Sequence, residues 1–350
     1  MTMIDSTLNS LGWRPYFSAQ LTDAEADTLQ VVRVMAVHRG RIDVAGADGE
    51  LSVALTAKSA VLEITVGDWL LVDNAGPAVS RCLERFGLFQ RRAAGSSGDV
   101  QLIAANVDTL FIVTSANRDF NIARLERYLA IAQDAGAYPV IVITKADMVE
   151  SVTEFVQTAS QLSPGLLIEP LDARDAEQVA VLSPWCESGQ TVALVGSSGV
   201  GKSTLVNTLT GAHLETSGIR EDDQRGRHTT TGRSMHRLPG GGWLIDTPGM
   251  RELQLYDVAD DRENVFSEIV ALASDCRFSD CTHVSEPGCK VLEAIDGGAL
   301  DAARLKRFHK LLSEDRHNTA SVAERRARDK QFGKLIKSVT AEKRREKSNK

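Results

Sequence analysis

Residues Gly196-Ser197-Ser198-Gly199-Val200-Gly201-Lys202-Ser203 follow the spacing G-x-x-x-x-G-K-[ST] between an apolar run and a helix-forming stretch that starts near Thr204. Glycines at these positions let backbone N–H groups wrap a phosphate chain. Lys202 brings positive charge to the β and γ phosphates, and the Ser203 hydroxyl suits Mg²⁺. Downstream, "WLIDTPGM" ends an apolar strand on Asp246, a carboxylate placed to hold Mg²⁺ through water, and Gly249 offers a backbone N–H to a γ phosphate. Between them "GRHTTTGR" has no periodicity and reads as a mobile loop, whose Thr230 or Thr229 closes on the metal when a γ phosphate is present.

A phosphate loop does not say which base is bound. Guanine presents two donors side by side, N1–H and the 2-amino group, which one carboxylate can accept; adenine has no such pair. "IVITKAD" supplies the carboxylate: Thr144, Lys145, Ala146 and Asp147 follow an apolar strand, with the Lys145 stem suited to pack on a purine face and Asp147 to accept. Guanine-nucleotide binding is therefore expected, against the alternatives of a P-loop kinase or ATPase and of an RNA-binding protein that uses nucleotide for structure alone.

A second constellation lies further on. Cys276-x4-Cys281-x-His283-x5-Cys289 puts three thiolates and an imidazole within fourteen residues, the ligand set of a closed tetrahedral Zn²⁺ site. With all four positions filled by protein, folding is the expected role of that metal. The other two cysteines, Cys82 and Cys186, read as plain buried residues.

Several elements must position these groups. From residue 29 to 90, short β-branched runs punctuated by Gly40, Gly46, Gly49 and Gly67 suit a five-stranded OB-type barrel, with an SH3-like barrel as the alternative. "RRAAGSSGDV" breaks the pattern and reads as a linker. Beyond it, "VDTLFIVTSA" and "YPVIVITKAD" are strands without alternation. The stretch between them places Ile122, Leu125, Leu129 and Ala132 on one helical face before Gly136. Such a βαβ unit implies a parallel sheet covered on both sides. After the cysteine cluster, "LDAARLKRFHKLL" gathers Leu300, Ala303, Leu305, Phe308, Leu311 and Leu312 toward one stripe, with Arg304, Lys306, Arg307 and Lys310 largely on the other.

The expected architecture is thus multidomain: an N-terminal OB-type β-barrel with an extension (1–95), a central α/β P-loop domain (96–256) and a mostly helical zinc-binding domain with a basic tail (257–350). The 350 residues carry a net charge of −7, yet residues 301–350 hold 16 Lys and Arg against 7 Asp and Glu. A basic end on an otherwise acidic chain fits docking to a phosphate backbone. No apolar run approaches the roughly 18 residues needed to span a bilayer, and the first ten residues do not read as a secretory signal. A cytoplasmic monomer without membrane contact is expected.

The motif order TKAD, GSSGVGKS, GRHTTT, DTPG, preceded by a small barrel and followed by a Cys/His cluster, resembles the RsgA (YjeQ) family of circularly permuted GTPases. The resemblance spans nearly the whole chain. It implies GTP hydrolysis in small-ribosomal-subunit assembly, with rRNA of that subunit as partner. Three positions depart from the common GTPase pattern. Thr144 stands where many GTPases have Asn, which would remove an amide that ties this loop to the phosphate loop. Asp172-Ala173 is the nearest match to the Ser-Ala contact with the guanine oxygen. Met250 replaces the Gln that often orients the attacking water. Slow intrinsic hydrolysis is expected, with His228 as the nearest polar side chain able to orient water once docking orders its loop.

Overall fold

The computed structural model describes residues 3–56, 62–74, 78–92, 100–211, 233–246 and 265–319. Helices α1 (Met3–Ser10), α2 (Pro15–Ser18) and α3 (Asp23–Thr28) lead into strands β1 (Leu29–His38), β2 (Arg41–Gly46), β3 (Gly49–Ala54), β4 (Trp69–Asp73) and β5 (Val79–Cys82). These five pair antiparallel in the order β3-β2-β1-β4-β5. Alternation decides their two faces. Val32, Val34, Ile42, Val44, Val53, Leu70 and Val72 share one apolar cluster inside the curl. The opposite face, with Met35, Ala45, Trp69 and Leu71, joins the main core, where Trp13 and Phe17 of the N-terminal segment pack against Trp69 at ring distances of 4.8 and 5.7 Å.

A hairpin of β6 (Leu88–Arg92) and β7 (Val100–Ala105) follows. The stretch read as a linker is therefore flanked by paired strands, and the chain doubles back there. Next come β8 (Thr109–Ser115), α4 (Ile122–Asp134), β9 (Tyr138–Thr144), α5 (Thr153–Ser160), β10 (Leu167–Pro170), α6 (Ala176–Val179), β11 (Thr191–Val195), α7 (Lys202–Thr210), β12 (Arg233–Arg237) and β13 (Trp243–Asp246). Every residue of β8 and β11 is buried, as unalternated apolar runs require of strands covered on both faces. β10, β9, β8, β11 and β13 lie side by side and parallel, and β12 returns antiparallel against β13. The far edge of β12 pairs with β1 (Ala36↔Ser234, Val37↔Arg233), so the N-terminal strands and the parallel sheet form one continuous path.

The chain runs outward through β8, β9 and β10, then returns to lay β11 on the other edge of β8. Strand order reverses at the β8/β11 junction, and open α/β sheets bind ligands at the carboxyl ends of the strands at such a point.

The third part is helical: α8 (Ser267–Ser274), α9 (Lys290–Asp296) and α10 (Ala302–Thr319). The predicted stripe of α10 holds for Leu305, Phe308 and Leu311, but Ala303 is exposed and Arg304 is buried. The reason is a buried acid on α4. Glu126, 1% exposed, accepts from Arg304 Nη1 at 2.5 Å and from Arg307 Nε at 2.9 Å, while Arg304 also pairs with Glu268 and donates to the Val265 carbonyl. The Arg304 guanidinium also lies over the Phe266 ring at 4.5 Å. Glu126→Gln leaves Arg307 without its carboxylate and Arg304 with Glu268 alone, and is expected to cost about 3 kcal/mol in urea denaturation, as loss of one partner from a buried pair does. A cost under about 1 kcal/mol would mean that the cluster does not hold the helical part to the sheet.

Arg33 plays a related part near the N-terminus. Fully buried on β1, it donates to the carbonyls of Leu11, Gly67 and Asn106, tying the N-terminal segment, the turn before β4 and the entry to β8. Burial pulls its guanidinium down to about 10. Cys186 is buried as expected, whereas Cys82 is only half-buried; burial pushes both thiols up to about 12, which leaves them poor nucleophiles.

Candidate functional site: a nucleotide cradle and a cysteine-histidine cluster

The phosphate loop leaves β11 at Gly196 and enters α7 at Lys202. Only glycine fits at its start: φ is +146°, and a Cβ there would lie 2.2 Å from the Val113 carbonyl oxygen of β8. Gly201, with φ +95°, turns the chain into α7. Ser197, Ser198, Gly199 and Val200 lie between them, and Ser203 and Thr204 form the first turn of α7, where unpaired backbone N–H groups face an anion. Lys202 is 8% exposed, and its ammonium donates to the carbonyls of Gly196 (2.7 Å) and Ser197. Its charge is thus stationed inside the loop.

The guanine-motif residues reach this loop from β9, two strands away. The Thr144 hydroxyl lies within donor range of the Thr114 carbonyl on β8 (2.9 Å) and of the Val200 carbonyl in the phosphate loop. This corrects the expectation that a residue other than Asn breaks the tie: the hydroxyl keeps one. Lys145 adopts left-handed backbone, φ +58° and ψ +32°, and its ammonium donates to the Gly199 carbonyl at 2.8 Å. Ala146 and Asp147 follow in a single turn of 3₁₀ helix. Side chains of one motif therefore meet backbone carbonyls of the other, 54 and 56 positions away, across one strand.

Asp172 and Ala173 sit after β10 beside Asp147. The Ala173 carbonyl accepts from Thr208 of α7 at 2.7 Å, which fixes this loop to the phosphate-binding helix. Sequence reasoning overlooked Arg174, whose guanidinium spans Asp172 and Asp147. A cation immediately after the Asp-Ala pair was the available signal.

Asp246 ends β13, the parallel neighbour of β11, and is exposed at the same end of the sheet as Ser203. His228, Thr229, Thr230, Gly249 and Met250 lie outside the described residues.

The cysteine-histidine cluster forms between α8 and α9. Cys276 Sγ is 3.9 Å from Cys289 Sγ and 3.7 Å from His283 Nδ1, which is 3.4 Å from Cys289 Sγ; with Cys281 the four donors lie within 4.8 Å of one another. Zn–S bonds of about 2.3 Å and Zn–N bonds of about 2.1 Å put tetrahedral ligands about 3.5 to 3.8 Å apart. The donor set and its spacing fit such an ion. His283 reaches its place through left-handed backbone, φ +58°. Glu286 folds the loop around it, accepting from the Thr282 hydroxyl and from the backbone N–H groups of Thr282, Val284 and Ser285; the hydroxyl first and then the backbone bonds hold its carboxyl well below the usual range.

A P-loop at the switch point of a parallel sheet, with a T-K-x-D element touching it from an earlier strand, defines a P-loop GTPase whose motifs run in permuted order. The family model described as RsgA GTPase matches residues 82–256. The small ribosomal subunit biogenesis GTPase RsgA 2 of Vibrio vulnificus is 49% identical over 338 residues, covering 96% of each chain. The RsgA of Mesorhizobium japonicum is 48% identical over 323 residues, covering 91% of this chain and 93% of its own. The chain belongs to the RsgA GTPase family. Among solved structures, YjeQ from Thermotoga maritima shares the fold at TM-score 0.61 and 24% identity, over 82% of this chain and 98% of its own. YloQ, described as a circularly permuted GTPase, does so at TM-score 0.58 and 21% identity, over 83% and 96%.

Proposed function

We propose that this GTPase acts in late assembly of the small ribosomal subunit, that its β1–β5 module, an OB-type barrel, and its zinc module contact rRNA, and that hydrolysis releases it. The observation that carries the nucleotide part is the Lys145 to Gly199 contact, which joins the base-reading and phosphate-binding elements in one cradle. The ribosomal part rests on the names of relatives that match nearly the full chain and on the basic charge of residues 301–350.

In this reading Lys202 and the loop N–H groups meet the charge that develops on the phosphates, and Asp147 selects guanine. Ser203, Thr230 and Asp246 would hold Mg²⁺, which neutralises charge on the β and γ oxygens. Gly249 donates its N–H to the γ phosphate, and His228 orients water when the protein is docked on its partner. Cys276, Cys281, His283 and Cys289 would hold one structural Zn²⁺. The units run 1–95, 96–256 and 257–350, and the protein works as a cytoplasmic monomer; no described helix is long and apolar enough to cross a membrane.

The test is steady-state hydrolysis of GTP and ATP, alone and with purified small subunits. Slow GTP turnover that rises by about 10²-fold or more with subunits, and negligible ATP turnover, is the expected result. Equal use of ATP would overturn the base assignment, and indifference to the subunit would overturn the partner. His228→Ala is expected to abolish the stimulated part alone.

A further inference from the structure

Arg174 occupies a position that none of the motifs accounts for. Its Nε and Nη2 fork onto Asp172, at 3.0 Å to Oδ1 and 2.9 Å to Oδ2, and the same Nη2 donates to Asp147 Oδ2 at 2.7 Å. Among the described residues this is the one ion pair that Asp147 makes. The loop carrying Arg174 is itself held in place. Asp172 N–H donates to Gln178 Oε1 at 2.9 Å, Arg174 N–H donates to Asp172 Oδ1 at 2.9 Å, and the Ala173 carbonyl is bonded to α7. The guanidinium thus brackets the carboxylates of the two loops, with the Arg174 side chain itself 68% exposed.

We propose that Arg174 is a specificity-determining positioning residue, which locks the plane of the Asp147 carboxylate so that both its oxygens face the two adjacent donors of guanine. The terminal torsion of an aspartate is soft, and an unbraced carboxylate turns freely about it. A pinned Oδ2 keeps its second lone pair, and Oδ1 keeps both, so the bracket does not use up the acceptors that the base requires. It also cancels the repulsion between Asp147 and Asp172, two anions facing one site. The Arg174 pairing holds the Asp172 carboxyl below its usual range, as such a bracket must. Preorganisation of this kind favours a ligand that uses both oxygens over one that uses a single oxygen. Hypoxanthine, which lacks the 2-amino group, is that second ligand.

This inference rests on Asp147 reading guanine, and the experiment separates the two. The full chain is titrated with a fluorescent guanosine diphosphate in competition with GDP, IDP and XDP, for wild type, Arg174→Ala, Arg174→Lys and Asp147→Asn. Asp147→Asn should lose GDP and gain XDP, because an amide presents a donor where xanthine carries an oxygen; if GDP affinity is unchanged there, the base reading fails and the Arg174 inference with it. Given that exchange, Arg174→Ala is expected to weaken GDP on the order of tenfold and IDP much less, so that the ratio of the two narrows. Arg174→Lys keeps the charge but not the fork, and is expected to recover little of the ratio. An unchanged ratio, tighter GDP binding by Arg174→Ala, or full recovery by lysine would each overturn the proposal. Thermal melting of each variant excludes a folding defect as the cause.

Discussion

Lys202→Ala is expected to lower GTP turnover by about 10³-fold while leaving the fold intact. Among the described residues the ammonium is the one side-chain cation inside the phosphate loop, 2.7 Å from the Gly196 carbonyl and almost shut off from solvent. In that setting its field on the transferring phosphoryl group is weakly screened, and nothing else in the loop can replace it. The Lys145 ammonium is exposed and donates to the Gly199 carbonyl. Alanine is a strong helix former and sits in the first turn of α7, so a melting temperature close to wild type should accompany the loss. Single-turnover phosphate release gives the rate and fluorescent-nucleotide titration gives the affinity. Turnover within about tenfold of wild type would place the phosphate-binding charge elsewhere.

Cys289→Ser is expected to unfold the segment 265–319 without abolishing guanine-nucleotide binding. Cys289 is 2% exposed, caps α9 by accepting from the Leu292 N–H, and lies at the meeting point of His283 and Cys276. A structural zinc ion contributes about 10 to 16 kcal/mol of apparent folding free energy. The loop around it, "CRFSDCTHVSEPGC", has little apolar surface to bury in exchange. Phe266, Ile269, Val291, Leu305 and Phe308 do join the buried core, but α8 and α9, which flank the loop, are only 8 and 7 residues long. Hydrogen exchange should therefore rise across α8 to α10 and stay slow in β8, β9 and β11. Metal analysis should find one zinc per wild-type chain and less in the variant. Protection of α8 to α10 in zinc-free protein would show that the ion is dispensable for the fold.

How much the amino-acid sequence reveals by itself follows from how local each signal is. The phosphate loop, the T-K-x-D element and the cysteine-histidine cluster are contiguous in sequence, and their chemistry depends on near neighbours. β8, β9 and α4 are legible because solvent or its absence on each face writes a period into the residues. The pairings that need distant partners are not. Glu126 looks like one more polar position on α4, and Arg304 like part of a solvated face, because each is neutralised by a residue more than 170 positions away. Arg33, a lone charge in "VVRVMAV", stands out in the run but gives no hint of the carbonyls it serves. Thr144 is similar: its type announces a missing amide, while only the packing of β9 against the phosphate loop shows its hydroxyl reaching the Val200 carbonyl. The continuity of β1 with β12 lies beyond local reading altogether, since register between two edges is set by everything that holds them.

The order of strands also governs how the chain comes into being. β8, β9 and β10 leave the synthetic machinery before β11, with β8 wholly buried in the finished fold and its second edge reserved for β11. Until Thr191 to Val195 emerge, that edge has no partner, and an unpaired apolar strand edge is a site of aggregation in a nascent chain. The strand that joins the two sides of the sheet is thus added late, as a keystone is set into a standing arch. A sequence in which β11 came first would close the same sheet from its middle outward, and a transposition of the two halves is expected to improve folding yield in the absence of chaperones, measured as the soluble fraction after cell-free synthesis.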